Sequence, residues 1–333
     1  MSTEAETIAR RAAEPGGDEY VVAVVSYARA ELLPRATLAL LERHGVEPER
    51  VTIFVANASE RRAYERALHA ASDDGRSPWA ARLVVARPGV RAVRNYVTEH
   101  YAEGTRIFCL DDDITELWQC HYDEALYARR RAANANATRF AGHALRPLGE
   151  LDAFVRRAFR ECAESDRRLW GVYAVRNAYF CRPHDDARAA VVDGLYFCVG
   201  CCYGVVNDRH VNRVHVDEKD DYERTARYYV ADGGVRRYNC VTISTRYYAT
   251  PGGMQAGTRR RTAARVAADA ATVRRAYAGL VHAAPSRAAH RDPADGTPYA
   301  QVRLRDKREG AARVFGAGHV PRRVRRVAPD DAS

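Results

Sequence analysis

Lysine is almost missing from this chain. Of 333 residues only Lys219 and Lys307 are lysine, so 51 of the 53 basic residues are arginine. With alanine also abundant, that bias reads as coding from a GC-rich genome, and the number of arginines by itself carries no functional weight. Long apolar runs are missing too: no stretch approaches the roughly 20 residues a membrane span needs, so no membrane partner is expected. The opening MSTEAETIARRAAEPGG lacks the apolar core of a signal peptide. Residues 1–18 read as a disordered lead-in, and an intracellular protein is expected. Eight cysteines in so long a chain are too few for a disulfide scaffold and fit a reduced compartment. Cys198-x-x-Cys201-Cys202 invites a zinc reading, with Cys120-His121 elsewhere, but a second well-spaced ligand pair is missing. The apolar surroundings LYFCVGCCYGVV suit small buried thiols instead. Glycine-rich phosphate loops of the P-loop or dinucleotide-binding type are absent.

What is present is unevenly placed. The net charge is +10, and Gly252 to Ser333 hold 17 basic residues against 7 acidic, which leaves 36 of each sign in residues 1–251. A neutral body with a basic last quarter points to a phosphate-rich partner, a nucleic acid, met by that quarter. Arg259, Arg260 and Arg261 stand near its start, and Arg322-Arg323-Val324-Arg325-Arg326 near its end.

The first hundred residues alternate in a simple way. Val21 to Tyr27, Val51 to Ala56, Leu83 to Ala86 and Ile107 to Leu110 read as strands. Between them, Leu32, Leu33, Leu38, Leu40 and Leu41, then Ser59 to Ala71, then Arg91 to Tyr101, have helical spacing. Strands separated by helices indicate an α/β fold with a mostly parallel central sheet and helices on both faces. Further on, Leu148 to Ala163 is predicted helical and Val241 to Tyr248 alternates like an edge or antiparallel strand. Pro251-Gly252-Gly253 breaks it, a last helix spans about Thr262 to His282, and residues 284–333 read as a basic tail.

Such sheets carry their sites at the carboxyl ends of the strands, and Asp111-Asp112-Asp113 follow the fourth strand directly. Adjacent carboxylates repel, and one tends to hold a proton unless a cation sits among them. Asp111 and Asp113, two apart, suit Mg²⁺ or Mn²⁺, a hard ion that keeps positions open for diphosphate oxygens. In sugar-nucleotide chemistry that metal neutralises the leaving diphosphate. A solvated acidic turn is the plainer alternative. Asp111-x-Asp113-x-Thr115 also resembles the nucleophile motif of haloacid-dehalogenase-type phosphatases, with Lys219-Asp220-Asp221 downstream. That motif usually sits on the first strand, whereas three strand-like runs precede this one.

Ser26, Tyr27 and Arg29 follow the first strand and Asn57 the second, where they would line a nucleotide pocket. Arg91, Arg94 and Asn95 open the third helix, whose positive end favours phosphates. Asp217-Glu218-Lys219-Asp220-Asp221 is a second acidic cluster: either a proton acceptor for an attacking hydroxyl or a helix start.

The succession SYARAELL, ARPGVRAVRNYV, IFCLDDDITEL, WGVYAVRNAYF, GCCYGVVND, DEKDDYERTARYY, DGGVRRYN and TRYYATPGGMQ resembles the TET/JBP-associated glycosyltransferases, found chiefly in bacteriophages and large DNA viruses. It runs from about Tyr20 to Gly257, and DDYERT…DGGV…GGM is its most specific part. The resemblance implies a GT-A-type fold over residues 19–283, with a nucleotide-sugar-binding half (19–120) and an acceptor half (121–283). It implies a UDP-sugar donor, UDP-glucose or UDP-GlcNAc, a divalent Mn²⁺ or Mg²⁺, and hydroxymethylated DNA as partner, the acceptor being 5-hydroxymethylcytosine or a related pyrimidine. A virus- or phage-encoded enzyme in the host cytoplasm would follow. Carried over by residue, Asp111 and Asp113 become metal ligands and Asp111 and Asp112 donor contacts. Asp220 or Asp221 becomes the catalytic carboxylate. Trp170, Asn177 and Tyr203, with Gly252 and Gly253, fall in segments that would shape the acceptor pocket. Arg259, Arg260 and Arg261 would touch the DNA backbone. The same core acting on a protein, lipid or small molecule is the alternative.

Overall fold

The four apolar runs at the front of the chain form β1 (Val21–Ser26), β2 (Val51–Val55), β3 (Leu83–Val85) and β4 (Arg106–Asp111), paired in parallel. A computed structural model of the chain describes residues 3–245, 251–257, 260–286 and 290–307. Helices α1 (Thr3–Ala13), α2 (Thr37–Arg43), α3 (Ala58–Ala70) and α4 (Val90–His100) lie on the two faces of this parallel layer. Alternate residues of β1 feed different cores. Val22 and Val24 join Leu38, Leu41 and Tyr64 on one face; Val21 and Ala23 join Ile8, Val97 and Tyr101 on the other. A strand covered on both faces has no solvent side to encode, which is why these segments read as unbroken apolar runs.

The rest of the sheet comes from β5 (Glu116–Tyr122), β6 (His143–Pro147), β7 (Leu169–Tyr173), β8 (Val191–Gly194), β9 (Cys202–Val206) and β10 (Val235–Ser244). Helices α5 (Glu124–Ala133), α6 (Leu151–Glu164) and α7 (Asp220–Asp232) intervene. The order is β3-β2-β1-β4-β9-β7-β10-β5-β6, with β8 also on β10. β9 lies antiparallel between β4 and β7, and β10 is parallel to β7. The carboxyl ends of β1 to β4, β7 and β10 therefore share one edge of the sheet, which sets where a site can be assembled.

Three expectations are corrected. Residues 3–13 form α1 instead of a disordered lead-in. Ala5, Ile8 and Ala12 are buried one turn apart, and the Arg106 guanidinium donates to the carbonyls of Arg11, Glu14 and Glu19, tying the helix end to β4. The strand predicted at Val241 to Tyr248 as edge or antiparallel runs antiparallel to β5 over Val241–Ser244, but it is neither an edge nor confined there. Its described part is the end of β10, which sits between β7 and β5, and residues 246–250 lie outside the described residues. Its polar Asn239 and Thr242 are buried, so polarity here does not mark solvent. The tail does not begin at residue 284. Helix α8 (Ala263–Ala276) and the antiparallel pair β11 (Val281–Ala284) and β12 (Gln301–Leu304) pack Val273, Val281 and Val302 against Ala226 and Tyr229 of α7.

Among the described residues no helix is long and apolar enough to cross a membrane. All eight cysteines are buried, and none is in a disulfide.

Candidate active site

The turn after β4 is fixed by one hydroxyl. Thr37 at the start of α2 donates its Oγ1 hydrogen to the Asp111 carbonyl (2.7 Å) and accepts from the Ile114 amide (3.1 Å), while the Ile114 side chain is fully buried. The chain must bend away from the sheet at the aspartates, and their three carboxylates take three different roles. Asp112 turns inward. Its Oδ2 accepts from Ser26 Oγ (2.5 Å) and its Oδ1 from Arg29 Nη1 (2.6 Å). Ser26 also meets the Tyr64 hydroxyl (2.6 Å), which accepts from the Arg29 amide (3.0 Å). Burial pushes the Asp112 carboxyl up to about 6, against the pull of Arg29. Asp111 Oδ1 accepts from Arg94 Nη2 at 2.6 Å, and Arg94 also donates to the Gly200 carbonyl. Burial raises the Asp111 carboxyl as well, Arg94 opposing and the Asp113 charge adding. Asp113 is held most loosely, by Arg29 Nη1 at 3.3 Å.

The opposite wall is the start of α7. Asp217 accepts from the Arg91 amide at 2.9 Å and lies 3.4 Å from Arg265; Glu218 takes both carboxylate bonds from Arg261 Nε (3.0 and 2.8 Å). Asp220 accepts from Arg224 (2.8 Å) and lies 3.9 Å from Arg94 Nε. Asp221 is the exception: among the described residues it is in no salt bridge, and its Oδ1 takes only the adjacent Tyr222 amide. Burial, with the Asp220 charge beside it, pushes the Asp221 carboxyl up to about 6. Two non-glycine residues with positive φ flank the site, Ala28 (53°) after β1 and Lys219 (66°) before α7. Backbone held in that region is costly for an L-residue and clusters at functional sites.

All of this surrounds one cavity of about 400 Å³. Ser26, Tyr27, Arg29, Arg94, Asp111, Asp112, Asp113, Asp220 and Asp221 line it, as do Arg87, Met254, Arg261 and Arg265. Among the described residues no group of three His, Cys, Asp or Glu is arranged to hold a metal. The donor set still fits a hard dication. Asp111 and Asp113 each have one oxygen engaged by an arginine and one left over, and Mg²⁺-like ions are commonly held by one or two carboxylates with substrate phosphates and water completing the shell.

Other residues picked from the sequence lie elsewhere. Asn57 is exposed and caps α3, its Oδ1 accepting from the Glu60 amide. Arg91 is exposed and its side chain reaches the His215 carbonyl (3.3 Å). Asn95 clamps Val214 through two hydrogen bonds. Asn177 is exposed in a turn outside the cavity, accepting from the Tyr179 amide. Tyr203 is buried on β9 under Arg224 (4.1 Å) and Arg94 (5.7 Å), where it supports the arginines instead of touching an acceptor. Arg261 is committed to Glu218 and Arg260 lies 3.7 Å from Asp292, so neither is a free backbone contact; Arg259 lies outside the described residues.

Trp170 is core. It is wholly buried, stacks on Phe108 (5.6 Å) and meets Phe154, Phe159 and Tyr238 edge-on. Its partner across the strands is Gly204, where a Cβ would fall 2.1 Å from the indole. Trp170→Ala is expected to cost about 3–5 kcal/mol of stability, read by denaturant unfolding. Gly252 and Gly253 lie against Arg29, and Gly253 also lines the cavity. Gly252 has φ +84° and a Cβ there would meet the Ala28 carbonyl at 2.4 Å, while the Gly253 amide donates to the Tyr27 carbonyl. Gly252→Ala is therefore expected to displace Arg29 and weaken binding in the cavity, measured by ligand titration of the folded variant.

Tyr64 and Thr37, which organise the aspartates, escaped the sequence reading. The signal for Tyr64 is its place one turn before Ala67 and Leu68 on the buried side of an otherwise charged helix.

No family model matches this chain, and no curated protein does. Among solved structures it is similar to a mannosyltransferase from Pyrobaculum calidifontis in complex with GDP-Man and Mn²⁺, at 13% identity and a TM-score of 0.40. The likeness covers 74% of this chain and 64% of that one, less than two thirds of its length. At that distance it says nothing of substrate.

Proposed function

We propose that the cavity binds a nucleotide sugar and that the protein is a GT-A-type glycosyltransferase, moving the sugar of a UDP-sugar to hydroxymethylcytosine in DNA. The observation that carries the transferase reading is the meeting, in one cavity, of the loosely held Asp113 and Asp111, the arginines Arg29 and Arg94, and the uncommitted Asp221. An open parallel layer with carboxylates at the end of its fourth strand is where a nucleotide sits in such sheets.

Asp111 and Asp113 would hold Mg²⁺ or Mn²⁺, which supplies positive charge for the leaving diphosphate. Arg29 and Arg94 orient the same phosphates from either side while keeping Asp112 and Asp111 ionised. Asp221, across the cavity, takes the proton of the acceptor hydroxyl as that oxygen bonds to the anomeric carbon. The bond from that carbon to the diphosphate oxygen breaks, and the nucleoside diphosphate leaves with the electron pair.

The DNA acceptor rests on the sequence resemblance and on the uneven placement of the basic residues along the chain. Incubation with UDP-glucose or UDP-GlcNAc and hydroxymethylated DNA, followed by digestion and mass spectrometry of the nucleosides, tests it. A glycosylated hydroxymethylcytosine is expected; transfer to none of these DNAs, with donor turnover intact, would move the acceptor to another class.

A further inference from the structure

Residues 125–149 hold five arginines and residues 170–184 two, and neither stretch contains an Asp or Glu. That is a marked local excess, because residues 1–251 as a whole balance the two signs. Six of these seven arginines are in no salt bridge among the described residues; Arg146 alone lies 3.7 Å from Asp123. Elsewhere among the described residues of the body 12 of 27 arginines are in salt bridges, so these two stretches, with one in seven, are less neutralised than the rest.

The two stretches meet on the surface. The Phe140 and Tyr179 rings are 5.2 Å apart, and the Arg182 guanidinium lies 4.8 Å from the Phe140 ring. Arg139 lies over Tyr122 and Arg176 over Trp118. Helix α5 buries none of its residues. At the junction Val175, Tyr179 and Phe180 stand out from the surface, the two rings half exposed at 50% and 51%. Exposed rings grouped like this mark an interaction surface. The loop leaves the carboxyl end of β7, on the sheet edge that bears the cavity. Arg176 Nη1 donates to Ser244 Oγ (3.0 Å), one residue before the cavity-lining Thr245.

Arginines without acidic partners next to solvent-facing rings are the pair of devices that hold single-stranded nucleic acid, the charges following phosphates and the rings stacking bases. We propose that a nucleic-acid strand docks on this surface, bases on Tyr179 and Phe180 and phosphates on Arg129, Arg130 and Arg176. An acidic protein would satisfy the arginines but gives the rings no role. The proposal rests on the transferase reading only for which nucleotide the strand presents to the cavity; the binding stands apart from it.

The test is fluorescence anisotropy of a labelled thymidine oligonucleotide with the full-length protein and no donor. Tyr179→Ala with Phe180→Ala is expected to weaken binding about tenfold or more with the salt slope kept, since stacking is lost and charge is not. Arg129→Glu with Arg176→Glu is expected to weaken it and to flatten the log–log salt slope by about one to two. All four side chains lie at the surface, and Tyr179→Phe should retain affinity, which separates a lost ring from a lost fold. Arg260→Glu and Arg303→Glu, away from this surface, are expected to bind as wild type. The proposal is overturned if the wild type does not bind the oligonucleotide, if the surface variants bind as it does, if truncation after Lys307 alone abolishes binding, or if polyglutamate competes as well as DNA. With no donor present, a failed transferase reading leaves the result untouched.

Discussion

Asp113→Ala is expected to remove sugar transfer and leave the protein folded. Its one engaged oxygen lies 3.3 Å from Arg29, and partly solvated pairs of this kind contribute at most about 1 kcal/mol. The same loss is expected on chelating the wild type with EDTA, because Asp113 matters here for the cation it would share with Asp111. Asp112→Ala is the contrast. That carboxylate is 2% exposed and holds Ser26 and Arg29 together, so its removal leaves a largely enclosed guanidinium to the looser Asp113 contact. About 3–5 kcal/mol of stability should go with it. Two neighbouring aspartates thus separate by phenotype: Asp113 by activity at unchanged unfolding midpoint, Asp112 by the midpoint itself. Full turnover of the wild type in excess EDTA would remove the metal from the mechanism.

Asp221→Asn is expected to lower the turnover rate about 10²- to 10⁴-fold, the usual worth of a general base, with donor affinity little changed. Only the ionised carboxylate accepts a proton. Because burial and Asp220 push Asp221 up to about 6, kcat/KM should fall as pH drops below about 6 and level off above it. The Asn variant should lose that acid limb. Asp220→Asn should behave differently, since Asp220 is tied to Arg224 and lies close to Arg94; donor binding and folding should suffer there before the chemical step does. If Asp221→Asn transfers sugar at the wild-type rate, this carboxylate is part of a helix start and nothing more.

Much of this site was legible in the sequence because covered parallel strands announce themselves as apolar runs, and the residues after them are committed to one edge of the sheet. Ser26, Arg29, Arg94 and the three aspartates come together for that reason. What a linear reading misses is which way a side chain turns. Trp170 and Tyr203 stand among residues that suggested an acceptor pocket, but strands β7 and β9 carry them into the core, with Gly204 making room for the indole. The arginines were hardest to sort. Arg261 looked like a free charge until Glu218, 43 positions away in sequence, was found beside it. Conversely, the unpaired arginines of α5 disappear in a charge count over residues 1–251, because pairing is a property of the fold.

The central claim is that this cavity is a metal-assisted nucleotide-sugar site, and calorimetric titration of UDP-glucose and UDP-GlcNAc into the protein tests it most directly. With Mn²⁺ present, at least one donor is expected to bind the wild type, to bind far more weakly once EDTA is added, and to bind Asp113→Ala weakly in either condition. A folded wild-type protein that takes up neither donor with Mn²⁺, or that binds one equally well in EDTA and in the Asp113→Ala variant, would contradict it.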